Sequence, residues 1–67
     1  MPVKVGDLVQ YVSQDRLYSK WFYSHLAEVQ SISKNGYCRV KWLQPVIYYD
    51  NVTVTSDFAV EKFEVVG

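Results

Sequence analysis

"KNGYCRVKWL", residues 34–43, is the stretch whose reading decides the fold. Asn35-Gly36 accepts the positive φ angles of a tight hairpin turn. The residues after it alternate, with Cys38, Val40 and Trp42 on one face and Tyr37, Arg39, Lys41 and Leu43 on the other. A period of two in β-branched and aromatic residues predicts a strand, and the charges at Arg39 and Lys41 predict that one of its faces is wet. Trp42 is read as core, which makes Cys38 a small buried hydrophobe and not a nucleophile.

Working back toward the N-terminus, "HLAEVQSI" (25–32) reads as a second strand with Ala27 and Val29 on a common face. Ile32 falls out of phase there unless a bulge intervenes. "VKVGDLVQYV" (3–12) contains a turn at Gly6-Asp7 and a first strand in which Val9 and Tyr11 face away from Leu8 and Val12. Residues 13–24 mix polar and aromatic types without period and are predicted to form a long loop or irregular arm.

Toward the C-terminus, "QPVIYYDN" (44–51) opens on proline and closes on Asp50-Asn51, the pattern of a second aromatic loop. "VTVTS" (52–56) reads as a short strand. Ser56 or Asp57 is placed to cap a brief helical turn, with Val60 and Phe63 three residues apart, before a last extended "EVV" at 64–66. The expected fold is all-β: a five-stranded small barrel with a short helical turn before the last strand, whose closure would remove exposed sheet edges.

Length and composition bound the function. A chain of 67 residues forms one domain, 1–67, near the size at which a single apolar core only just offsets conformational entropy. Its apolar fraction of 49% and eleven aromatics argue against disorder. Seven basic residues balance seven acidic ones, which removes the electrostatic footprint of a general nucleic-acid binder. The basic residues gather in the first 42 positions, so Lys20, Lys34, Arg39 and Lys41 form a candidate stripe for single-stranded nucleic acid. The competing reading, preferred at zero net charge, is that Arg39 and Lys41 solubilise the wet face of their strand.

One cysteine cannot form an internal disulfide, and one cysteine with one histidine is too little for a zinc site. No apolar run approaches a signal-peptide core or a membrane span, which points to a reducing, cytoplasmic setting without membrane contact. His25 and Glu28, three apart on a strand, face opposite sides and cannot share acid-base work. No nucleophile elbow, phosphate loop or metal motif is present, so no catalytic residue, cofactor or metal is expected and the chain reads as non-enzymatic.

The succession "GDLVQYV" (6–12), "HLAEVQSI" (25–32), "GYCRVKW" (36–42) and "VEKFEVV" (60–66) resembles that of Tudor-like and related SH3-like barrels, a look also seen in small bacteriophage proteins of unassigned function. The stretch "TSDFAVEKFEVV" (55–66) is also similar to the small barrel subunit of photosystem I, which would imply a docking role. The Tudor-like resemblance implies an aromatic cage with an acid, built to hold a methylated ammonium group. The matching neighbourhoods hold Tyr11, Trp21, Tyr23, Trp42, Tyr48 and Tyr49, with Asp50 as the acid. The family's Asp-Tyr-Gly after the third strand is replaced by "LQPV" (43–46).

The run Trp21-Phe22-Tyr23 bears on the same question. In a small barrel one such ring plugs an open end, here Trp21 or Phe22, but alternation prevents all three from pointing inward. Tyr23 or Trp21 is therefore expected outside, near Tyr48 and Tyr49, in a patch of the kind that marks contact sites. The expected function is an interaction module for a protein partner or a second copy of the chain. Its contact residues are Tyr18, Trp21, Tyr23, Tyr48, Tyr49 and Asp50, on the loops at 18–23 and 46–50.

Overall fold

In the computed structural model, residues 3–67 are described. The elements are β1 (Leu8–Tyr11), α1 (Ser19–Phe22), β2 (Leu26–Ile32), β3 (Tyr37–Tyr48), β4 (Asn51–Ala59), a 3₁₀ turn (Val60–Lys62) and β5 (Phe63–Val65). The strands form one antiparallel sheet in the order β4-β3-β2-β1-β5. β4 and β5 are its two edges and do not pair, so the sheet stays open where closure was expected.

The alternation read from the sequence sets the buried face. Val9 lies across from Ala27, Ala27 across from Trp42, and Val29 across from Val40, so one face of three neighbouring strands is continuous. Tyr11, Cys38, Val46, Phe22, Phe58 and Phe63 complete the core. Each fully buried large side chain stabilises the fold by about 1.5–3 kcal/mol relative to exposure. Trp42 satisfies its indole N–H by donating from Nε1 to Ser56 Oγ at 3.0 Å, so its burial strands no polar group.

Two register shifts bend the sheet. The first falls between Val29 and Ser31 and brings Ile32 across from Cys38, which is the bulge the sequence required. The second lies between Lys41 and Val46: Lys41 pairs with Thr55 and Val46 with Thr53, so residues 42–45 of β3 oppose Val54 alone. Pro45 sits inside this irregularity, where its missing N–H disturbs the ladder least. The proline therefore does not end the strand. "QPVIYYDN" is the continuation of β3, not a loop, and only Tyr49-Asp50 remains as a two-residue turn into β4.

Three local expectations are corrected. Asn35 does not take a positive φ; Gly36 alone does, at 84°, closing a turn in which its N–H donates to the Ser33 carbonyl. The cap of the 3₁₀ turn is Ala59, without a side-chain hydrogen bond, because Ser56 serves Trp42 and Asp57 pairs with Arg39. The arm at 13–24 contains the single helical turn α1, with Phe22 as its buried residue.

Candidate functional site

α1 arises from the sequence around Asp15. One carboxylate oxygen, Oδ1, accepts from the backbone N–H of Leu17 at 3.1 Å and of Tyr18 at 2.6 Å, while the Asp15 carbonyl accepts from Ser19 Oγ at 2.5 Å. That holds the turn at 16–18 that leads into α1, whose N-cap, Tyr18, has no side-chain cap of its own. The other Asp15 oxygen, Oδ2, accepts from Tyr11 Oη at 2.5 Å, Ser13 Oγ at 3.1 Å and Lys62 Nζ at 3.3 Å. A single side chain thus fastens the arm to β1 and to the 3₁₀ turn. The Tyr11 hydroxyl, followed by the Tyr18 N–H, Lys62 and Ser13, holds the Asp15 carboxyl well below the usual carboxylate range. Burial first, then the Asp15 carboxylate, pushes the Tyr11 phenol well above its usual value.

Fastened this way, α1 lays its rings against the tip of the β3–β4 hairpin. Phe22 goes inward and stacks on Trp42, with centroids 5.0 Å apart. Trp21 stays half-buried, 4.8 Å from Tyr48 and 4.6 Å from Tyr49, and those two tyrosines are 4.7 Å apart. Lys20 Nζ covers one face of Trp21, 4.4 Å from the centroid. Tyr18 is half-buried against Tyr48 and Phe58, and burial, then Tyr18, raises the Tyr48 phenol above its ordinary value. Beside these rings Tyr18, Phe22, Tyr48 and Phe58 line an open cleft of about 230 Å³ whose polar margin is Thr53, Ser56 and Asp57.

Tyr49 has a backbone φ of 54° at the first central position of the two-residue turn. A bulky side chain with positive φ is a true outlier, and glycine is the residue that usually takes such a place. Its ring is nonetheless 57% exposed.

The structure therefore brings Tyr18, Trp21, Tyr48 and Tyr49 together, with Asp50 exposed in the same turn. Tyr23 is exposed too, but it turns to Gln14, whose Nε2 donates to its hydroxyl at 3.4 Å. Of the residues implied for a cage, Tyr11 and Trp42 are buried in the core. The rings of Trp21, Tyr48 and Tyr49 touch one another, which leaves no gap the width of an ammonium group between them.

The basic residues do not form one row. Lys20 is on α1 and Lys34 is in the β2–β3 turn. Arg39 and Lys41 share the outward face of β3, where Arg39 Nε meets Asp57 Oδ1 at 2.9 Å and Lys41 lies across from Glu28. Cys38 is buried, and desolvation raises its thiol pKa.

Two participants escaped the sequence reading. Asp15 carried a usable signal, an aspartate followed by donors two and three residues on and by Tyr18 and Phe22 at helical spacing. Phe58 carried less, because "SDF" reads equally as a helix cap or as a strand. Among the described residues no cluster of three or more His, Cys, Asp or Glu side chains gathers, and no helix is long and apolar enough to cross a membrane. No protein-family model matches the chain, and no curated protein or solved structure shows significant similarity to it.

Proposed function

We propose that the chain is an SH3-like small domain, its barrel-like sheet open between β4 and β5, acting as a non-enzymatic module that binds a protein partner in a cytoplasmic setting. The contact surface is formed by Trp21, Tyr48 and Tyr49, flanked by Tyr18 and Asp50. The strand order β4-β3-β2-β1-β5, with a 3₁₀ turn leading into the last strand, supports the fold assignment. Two distant segments that converge to place aromatic rings at the surface support the binding role, because Trp and Tyr anchors contribute most of the energy at protein contacts.

The observation that carries the reading is Tyr49. Strained backbone persists where surrounding structure imposes it and concentrates at functional positions. Here an exposed ring is kept at φ 54° although glycine would relieve the strain. Nothing in packing the core requires that ring.

Selection of peptides from a displayed library on the wild-type chain tests the proposal, with titration of the recovered peptides against a Trp21→Ala/Tyr49→Ala variant. Recovered peptides should bind the variant at least about tenfold more weakly. Equal affinity, or no enrichment on the wild type, would reject this surface as the binding site.

A further inference from the structure

The β2–β3 turn does more than close its hairpin: it sets an asparagine amide next to a lightly held backbone nitrogen. Asn35-Gly36 is the single Asn-Gly pair in the chain, and the other asparagine, Asn51, precedes the β-branched Val52. Both residues of the pair are exposed. The turn bond from the Gly36 N–H to the Ser33 carbonyl measures 3.3 Å, beyond the usual range for N–H···O. A Cβ built on Gly36 would meet nothing within 4 Å, so the space beside this peptide is open. Glycine leaves its own nitrogen unshielded and lets the backbone rotate at the least steric cost.

We propose that Asn35 is a site of spontaneous deamidation in the folded chain, with water as the co-reactant. Asparagine is among the thermolabile residues, and here the reacting groups are neighbours in an open turn. The Gly36 nitrogen attacks Asn35 Cγ; an N–C bond forms, and the side-chain amide leaves as ammonia, carrying the proton that the Gly36 nitrogen gives up. The product is a cyclic succinimide. Water then opens it at either ring carbonyl. Opening at Cγ restores the ordinary backbone with aspartate at position 35, and opening at the main-chain carbonyl leaves the chain running through Cβ and Cγ as an isoaspartyl linkage. Either product carries a new carboxylate.

The two products act on the fold differently. The Gly36 carbonyl accepts from the N–H of Val60, the first residue of the 3₁₀ turn, at 2.9 Å, and the Ser33 N–H donates to the Tyr37 carbonyl at 2.7 Å. An isoaspartyl linkage inserts a methylene carbon into the backbone between Lys34 and Gly36, so the Ser33–Tyr37 closure and the Gly36–Val60 anchor cannot both keep their geometry. Aspartate keeps that geometry. In both products the new carboxylate lines the same open cleft as Glu61, adding like charge beside it. The hairpin turn is thereby a slow covalent route to loosening the 3₁₀ turn that leads into β5.

Incubation of the wild-type chain under native conditions at mildly alkaline pH tests this, with peptide mapping by mass spectrometry and labelling by an isoaspartyl methyltransferase. Asn35 should lose its amide at least about tenfold faster than Asn51, whose following nitrogen is shielded by a β-branched side chain. Asn35→Gln, whose longer side chain closes a ring poorly, should take no label. The isoaspartyl fraction, separated by ion exchange, should show shifted amide resonances at Gly36, Tyr37 and Val60, while freshly prepared Asn35→Asp should leave Val60 close to its wild-type position. An Asn35 amide that is kept, or that is lost no faster than that of Asn51, overturns the proposal. So does labelling that persists in Asn35→Gln, or a rate that follows the unfolded fraction as urea is added, since the reaction would then belong to the unfolded chain. An isoaspartyl chain with an unchanged Val60 resonance would overturn the link to the 3₁₀ turn.

Discussion

Tyr11 Oη, on the buried face of β1, donates to Asp15 Oδ2 at 2.5 Å, and this bond ties the core to the arm that carries α1. Four further donors reach the same carboxylate, from Ser13, Leu17, Tyr18 and Lys62. The aromatic surface is consequently held by a polar clamp as well as by ring packing.

Tyr11→Phe removes the hydroxyl and keeps the ring. A hydrogen bond to a charged group contributes about 1.5–3 kcal/mol, and the variant should lose about that much in urea unfolding. A loss below about 0.5 kcal/mol would show that the remaining donors hold Asp15 unaided.

The same pair sets opposite limits on pH stability. The Asp15 carboxyl titrates lower in the folded chain than in the unfolded chain, first because of the Tyr11 hydroxyl. Its stabilisation is thus complete above the unfolded value, about 4, and is lost as pH falls from there toward the folded value. Tyr11 titrates higher when folded, first because of burial, so its contribution is complete below about 10 and is lost as pH rises beyond that. Asp15→Asn should flatten the acid limb of the urea midpoint plotted against pH; an unchanged limb would assign it to other carboxylates.

Trp21 and Phe22, adjacent in sequence, should separate cleanly on truncation. Phe22 is 2% exposed, and Phe22→Ala should cost about 3–5 kcal/mol, enough to leave much of so small a domain unfolded. Trp21→Ala forfeits ring contacts of about 0.5–1.5 kcal/mol each and should remain folded. Thermal unfolding distinguishes the two, and a folded Phe22→Ala would remove Phe22 from the core.

Tyr49 should show strain by comparison of two variants. Both Tyr49→Gly and Tyr49→Ala lose the ring, but only glycine relieves the positive φ. The glycine variant should be the more stable by about 1 kcal/mol. Equal stabilities, or a more stable alanine variant, would remove backbone strain from the account of this turn. Both variants should lose peptide binding, which separates the function of the ring from any need for it in folding.

Much of the sheet was legible because a strand face depends on a period of two. The shared faces Val9/Tyr11, Ala27/Val29 and Cys38/Val40/Trp42 followed from alternation alone, though only the last was read as core and Tyr11 was placed among the cage rings, and Ile32 could be placed only with a bulge, which is present. The region from Gln44 to Asn51 was misread because proline and Asp-Asn are turn signals in isolation, whereas an irregular register lets a strand pass through proline. α1 was missed because Asp15, which holds the turn leading into it, looks like one polar residue among many until the N–H groups that it serves are in place.

The sequence by itself determined an all-β chain, which residues share a strand face, the tight β2–β3 turn and the helical turn before the last strand, since each depends on residues close together along the chain. Tertiary structure alone decided that the sheet remains open, that Phe22 and not Trp21 fills the core, and that Trp21 meets Tyr48 and Tyr49. Those outcomes depend on how one carboxylate fastens an arm and how an irregular stretch of β3 aims a hairpin, and both bring together residues that no local pattern connects.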